Sequence, residues 1–169
     1  RDRLAGAAGW FALTTSPMPE EERASSLGHW ESLAAGPGIK RRAQTGLVAG
    51  VDSQLQRLDS DSMSPRDIFE AARQGDAFAR SIIDETGDII GLGIANIVSL
   101  INPNRVVLGG SIGSQGDMLL PRVREVVRRW AQPISGASAE IVASLLGVDA
   151  GILGAAYAAF VRTGDIQGG

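Results

Sequence analysis

The chain has 169 residues, 44% of them hydrophobic and 21% charged. That is enough for one domain of ordinary size, burying about 70% of its unfolded surface. A net charge of −3 argues against a protein that grips nucleic-acid phosphates, and the absence of cysteine removes disulfides, thiol catalysis and cysteine-ligated zinc together. Neither a signal peptide nor a membrane span is legible, and the expectation is a cytoplasmic protein.

Arg1-Asp2-Arg3 has no initiator methionine, and Leu4 to Gly9 reads like the middle of a fold, so a fragment of a longer protein is expected. Residues 5–9 form a small-residue turn, and the apolar run Trp10 to Thr14 predicts a short strand. A polar, acidic loop with Pro17, Pro19 and Glu20-Glu21-Glu22 runs to Leu27. Trp30 to Ala35 predicts one or two helical turns closed by Gly36, and Pro37 suits the first turn of the next helix. Leu58 to Met63 reads as a linker. Ser64-Pro65-Arg66-Asp67 opens a helix, with Ser as cap, Pro in the first position and an acid in the third; that helix ends near Gly75.

Asp76 then opens a long helix whose apolar positions run from Phe78 through Ile82, Ile83, Ile90, Ile94 and Val98 to Ile101. Asn102-Pro103 ends it. Gly87, Gly91 and Gly93 lie inside, each costing about 1 kcal/mol relative to Ala, so something presses close to that helix; a neighbouring helix is favoured over a ligand. Arg105 to Leu108 predicts a buried strand ending in Gly109-Gly110-Ser111. A glycine pair there lets a backbone approach a ligand with no Cβ in the way, at the carboxyl end of a strand where open α/β sheets bind nucleotides. Asp117 is expected to cap a helix running to Trp130, with Pro121 near its start. Residues 140–144 read as a strand, 149–161 as a closing helix of small residues, and 165–169 as a frayed tail. Strands alternating with helices indicate an α/β fold.

Several of these pieces resemble the ROK family (repressor, open reading frame, kinase): Arg73-Gln74-Gly75-Asp76, the long helix into Asn102-Pro103, Val106-Val107-Leu108-Gly109-Gly110-Ser111, and Leu146-Gly147-Val148-Asp149-Ala150-Gly151-Ile152-Leu153-Gly154-Ala155-Ala156. The resemblance implies the C-terminal half of a protein with the ribonuclease H-like, actin-like ATPase fold, with residues 1–169 forming a single lobe. It implies ATP and Mg²⁺ as cofactors, with Gly109, Gly110 and Ser111 beside the nucleotide. It also places Gly28-His29-Trp30-Glu31 where the family has Gly-Cys-Leu-Glu, which makes Glu31 a contact for sugar hydroxyls. A carboxylate suits that task because it accepts two hydroxyl protons.

The departures from the pattern are as specific. The family's zinc site needs cysteines and a histidine, and this chain has no Cys and one His, so zinc is not expected. Where the family has Gly-Glu-x-Gly-His, this chain reads Gly9-Trp10-Phe11-Ala12-Leu13. The lobe that carries the first phosphate loop and the catalytic aspartate in the family has no counterpart in these residues, so no catalytic residue is assigned.

The remaining candidates have plainer readings. His29 is expected as a packed or exposed imidazole, and Trp30 as a core or interface anchor. Lys40-Arg41-Arg42 and Arg122, Arg124, Arg128, Arg129 are expected as solvated faces. The expected function is one part of an ATP-dependent sugar kinase, active only with its other lobe, forming a homodimer and contacting neither membrane nor nucleic acid. The alternatives left open are the sugar-sensing part of a ROK-type transcriptional regulator and a non-catalytic dimerisation lobe.

Overall fold

A computed structural model of the chain describes residues 6–15 and 27–163. The loop expected between residues 15 and 27 and the expected tail at 165–169 therefore lie almost wholly outside the described residues. A 3-10 turn at Ala8–Trp10 leads to α1 (His29–Ala34) and α2 (Gly36–Val48). Ala35, extended at ψ 173°, is the corner between those helices, and Pro37 occupies the first turn of α2. A second 3-10 turn, Gln54–Arg57, precedes α3 (Pro65–Arg73) and α4 (Ala77–Ile101). Strand β1 (Arg105–Leu108) is followed by α5 (Gly110–Gly113), α6 (Gly116–Trp130), α7 (Pro133–Ser138) and strand β2 (Glu140–Ala143). A 3-10 turn at Gly147–Asp149 leads into α8 (Ala150–Thr163).

The strand expected at Trp10–Thr14 is not formed. Residues 8–10 make the 3-10 turn and 11–13 continue without regular structure. A strand needs a partner's ladder of hydrogen bonds. Here the Phe11 carbonyl is instead taken by the Trp30 N–H at 3.1 Å, at the start of α1.

The long helix forms as its caps dictate. The Asp76 carboxylate accepts the Ala79 N–H at 2.8 Å, and Asn102 closes the helix in the left-handed region at φ 52°. At the start of α3 the Asp67 carboxylate accepts from both the Ser64 N–H (2.8 Å) and hydroxyl (2.7 Å). These bonds hold the Asp67 carboxyl below the usual carboxylate range. Asp117 does not cap α6. The cap position is Gln115, and Asp117 sits one step inside the first turn, where its charge still suits the helix N-terminus.

Helix α4 is the spine of the core. Ile83, Ile94 and Val98 on α4 pack with Leu119 and Val123 of α6, Ile68 and Phe69 of α3, and Ile39 of α2, all essentially inaccessible to water. The glycines of α4 face protein on every side: Gly87 lies under the Arg122 stem, Gly91 under Val126, and Gly93 under the Trp30 ring. The close neighbour is thus a helix in each case.

Strands β1 and β2 pair in parallel, Arg105 opposite Glu140 through Leu108 opposite Ala143. The crossover through α5, α6 and α7 is the connection a parallel pair requires. The fold is mixed α/β and mostly helical.

Arg128 and Arg129 are exposed, as expected, but one arginine in each basic cluster is tied into the structure. Arg42 Nη1 donates to the Leu33 carbonyl (2.7 Å) and Nη2 to Thr86 Oγ1 (2.6 Å), tying α1, α2 and α4 together. Burial pushes the Arg42 pKa down, against the pull of Glu85, yet a guanidinium stays protonated. Arg122 bonds Asp88 of α4 at 2.6 Å and Glu125 of its own helix at 2.9 Å. Those bonds, Asp88 first, hold its pKa above the ordinary value.

Helix α8 stands apart. None of its fourteen residues is buried, and Ile152, Leu153, Tyr157 and Phe160 are each about half exposed or more.

Candidate functional site

The turn after β1 is built around one unusual residue. Gly109 is extended, and Gly110 opens α5 at φ 71°, in the left-handed region where a side chain is strained. A Cβ on Gly110 would meet nothing within 4 Å. Its glycine is therefore required by backbone conformation and not by crowding, and the turn faces open space.

Beside this turn lies a cavity of about 540 Å³, within the range of small-molecule sites. Ser111 and Ile112 of α5 form one wall, and Arg66, Phe69 and Glu70 of α3 face them. A second cavity of about 590 Å³ adjoins along Arg73, with Ser114, Asp117, Arg124 and Ser144 on its walls. Arg73 Nη2 donates to Gln115 Oε1 at 2.6 Å and approaches both Asp117 oxygens at 3.3 Å, latching α3 to α6 between the two spaces. The positive groups on α3, absent from the sequence-level site, join it only because α3 folds across the β1 turn.

Glu31 lies elsewhere. It is exposed on the first turn of α1 and lines neither cavity. Its carboxylate rests over the backbone of Gly9, with Oε2 3.0 Å from where a Gly9 side chain would begin. The same small unit holds His29, whose Nδ1 accepts the Leu13 N–H at 3.3 Å. Trp30 serves as the anchor expected of it. Its Nε1 donates to the Ile89 carbonyl at 2.9 Å and its ring stacks on Phe11, 6.1 Å between centroids and 13° between planes.

The predicted residues thus form two places. Gly109, Gly110 and Ser111 share the β1 turn, with Ser111 on the cavity wall, while Glu31 belongs to the 3-10 turn and α1 unit. Among the described residues no group of three or more His, Asp or Glu side chains is arranged to hold a metal ion. No described helix is long and apolar enough to cross a membrane.

Comparison with known proteins shows the family. The model of the ROK family matches residues 18–161, and the chain belongs to that family. It is 35% identical to a glucokinase of Halalkalibacterium halodurans over 130 residues, 75% of this chain and 39% of the relative. It is 29% identical to the N-acetylglucosamine repressor of Escherichia coli O157:H7, covering 70% of this chain and 29% of the repressor. Among solved structures, a ROK family glucokinase from Streptomyces griseus in complex with glucose and AMPPNP superposes with a TM-score of 0.67 at 31% identity, covering 79% of this chain and 45% of that one. The fold is that of the actin-like ATPase sugar kinases. The chain spans about two fifths of the length of the curated glucokinase it matches.

Proposed function

We propose that residues 1–169 form the C-terminal lobe of an ATP-dependent sugar kinase that transfers the γ-phosphoryl group of ATP to a sugar hydroxyl. The observation that carries this reading is the β1 turn. Gly110 sits in a conformation only glycine adopts easily, with open space over it and a cavity of about 540 Å³ alongside. The similarity to glucokinases, one of them solved with glucose and a nucleotide analogue, supports nucleotide as the occupant.

In this reading Gly109, Gly110 and Ser111 line the nucleotide, and Arg66 on the opposite wall supplies positive charge toward it. Mg²⁺ would be held in part by the nucleotide phosphates, where it would neutralise their charge. Glu31 accepts hydroxyl protons of the sugar. Phosphoryl transfer rests on positioning and charge stabilisation, and the proton-accepting base and the phosphate loop belong to an upstream lobe of the same polypeptide. Closure of the lobes excludes water.

The uncovered helix α8 supports such a partner, because a helix apolar on all sides is normally enclosed by protein. In this reading the complete protein is a cytoplasmic homodimer. The reading is tested by a coupled assay of nucleotide consumption with a panel of hexoses. Turnover by the full-length protein with one hexose, and none by residues 1–169 alone, is the expected result. Robust turnover by the 169-residue chain overturns the two-lobe account.

A second reading, the sugar-sensing part of a transcriptional regulator, is favoured by the likeness to the N-acetylglucosamine repressor. It predicts sugar binding with no nucleotide consumption.

A further inference from the structure

Glu31 owes its place to its neighbour. The carboxylate itself has no hydrogen bond or ion pair among the described residues, and α1 is only six residues long. A helix that short has little stability of its own, so its orientation must come from what it touches.

One contact dominates. The Trp30 indole occupies the space where a Gly93 side chain would stand; a Cβ there would collide with the ring. With the notch open, Nε1–H reaches the Ile89 carbonyl on α4 at 2.9 Å. That carbonyl is also the acceptor position for the Gly93 N–H one helical turn on. The ring also stacks on Phe11, and the Trp30 N–H bonds the Phe11 carbonyl at 3.1 Å. Gly28, just before α1, abuts the Gly9 carbonyl so closely that any side chain would collide with it. The indole is thus clamped between the core helix α4 and the segment beneath Glu31.

We propose that Trp30, seated in the Gly93 notch, is a positioning residue that fixes the Glu31 carboxylate for substrate. It touches no reacting atom. It acts by fixing the rotation of α1 against α4, so the next residue, Glu31, is held over Gly9. This rests on the reading of Glu31 as a sugar contact, and the experiment separates the two claims.

The test is calorimetric titration of the full-length protein with a panel of hexoses and, separately, with AMPPNP. Glu31→Gln reports on the reading of Glu31. Trp30→Phe keeps an aromatic ring but removes the Nε1–H donor, and Gly93→Ala evicts the indole. Both are expected to weaken binding of the sugar about tenfold, with AMPPNP affinity unchanged within about twofold. Gly93→Ala combined with Trp30→Leu returns room to the notch and is expected to restore thermal stability without restoring sugar affinity.

If Glu31→Gln leaves sugar affinity unchanged, or the wild-type protein binds no hexose, the reading of Glu31 fails and the inference with it. If Glu31→Gln weakens sugar binding while Trp30→Phe and Gly93→Ala do not, the reading stands and the inference fails. Recovery of full sugar affinity in the double variant makes Trp30 a filler of space only. An equal loss of sugar and AMPPNP affinity in the Trp30 and Gly93 variants likewise assigns them a general structural role.

Discussion

Arg124 donates twice to one atom: Nε at 3.0 Å and Nη2 at 2.7 Å both reach the Ile141 carbonyl oxygen. This pins α6 to β2, the strand whose partner β1 ends in the Gly109-Gly110 turn. The bond to a charged donor is stronger than a neutral one. Arg124→Ala is expected to lower stability by about 1.5–3 kcal/mol, read from urea unfolding. Arg124→Lys, which cannot span the carbonyl with a planar fork, should recover only part of the loss. No change with Ala would show that the apolar contacts of α6 alone hold the strand.

The Asp76 carboxylate ties the 3-10 turn at Gln54–Arg57 to the start of α4. Burial by itself would raise its pKa, but the Ala79 and Gln54 N–H groups and the Ser53 hydroxyl, all accepted at 2.6–2.8 Å, hold the carboxyl below the usual range. Its folded pKa is therefore below the unfolded value of about 3.9. The stabilisation it provides is complete above that value and is lost as pH falls through the folded pKa. Asp76→Ala is expected to cost about 2–3 kcal/mol at neutral pH. It should also flatten the acid limb of stability against pH, measured by thermal unfolding between pH 2 and pH 7 (roughly the carboxylate range). An unaltered acid limb would mean that other carboxylates carry it.

Sequence made the long elements legible and left several packing partners illegible. The span from Asp76 to Asn102 could be read because its caps and its apolar period are local properties. The strands at 105–108 and 140–143 were legible as short apolar runs between breakers. Trp10 to Thr14 has the same local look, but a strand is decided by its neighbour, and that neighbour is the first turn of helix α1. Helix α7 is not among the elements expected from the sequence, and its start rests on the Gln132 side chain, which accepts the Ser135 N–H at 2.8 Å.

Arg42 looked like its neighbours in a basic run; only the folded arrangement of α1 and α4 gives it acceptors. For the candidate site, the glycine turn was visible, but Arg66 and Arg73 enter it from 36 or more residues earlier in the chain. Glu31 had no signature of its own and rested on likeness to the family.

Helix α8 sets a test of solution behaviour. Its large side chains, Ile152, Leu153, Tyr157 and Phe160, form an exposed apolar surface with Val148 beside it. Surfaces of this kind drive association. The 169-residue chain is expected to bind an apolar dye and to associate as concentration rises, both seen by fluorescence and sedimentation. Leu153→Asp with Tyr157→Asp should reduce both without lowering the melting temperature, since neither residue packs in the core. A chain that stays monomeric and dark to the dye would contradict the claim that α8 needs a covering surface.

The most direct test of the nucleotide site is calorimetric titration of MgATP into the full-length protein and its Gly110→Val variant. Valine at φ 71° costs about 1–2 kcal/mol and fills the space over the turn. The account predicts saturable binding to the wild type, weakened about tenfold or more in the variant, with Glu31→Gln leaving nucleotide affinity unaltered. Equal binding to wild type and Gly110→Val, or none to either, would contradict the assignment of the Gly109-Gly110-Ser111 turn to ATP.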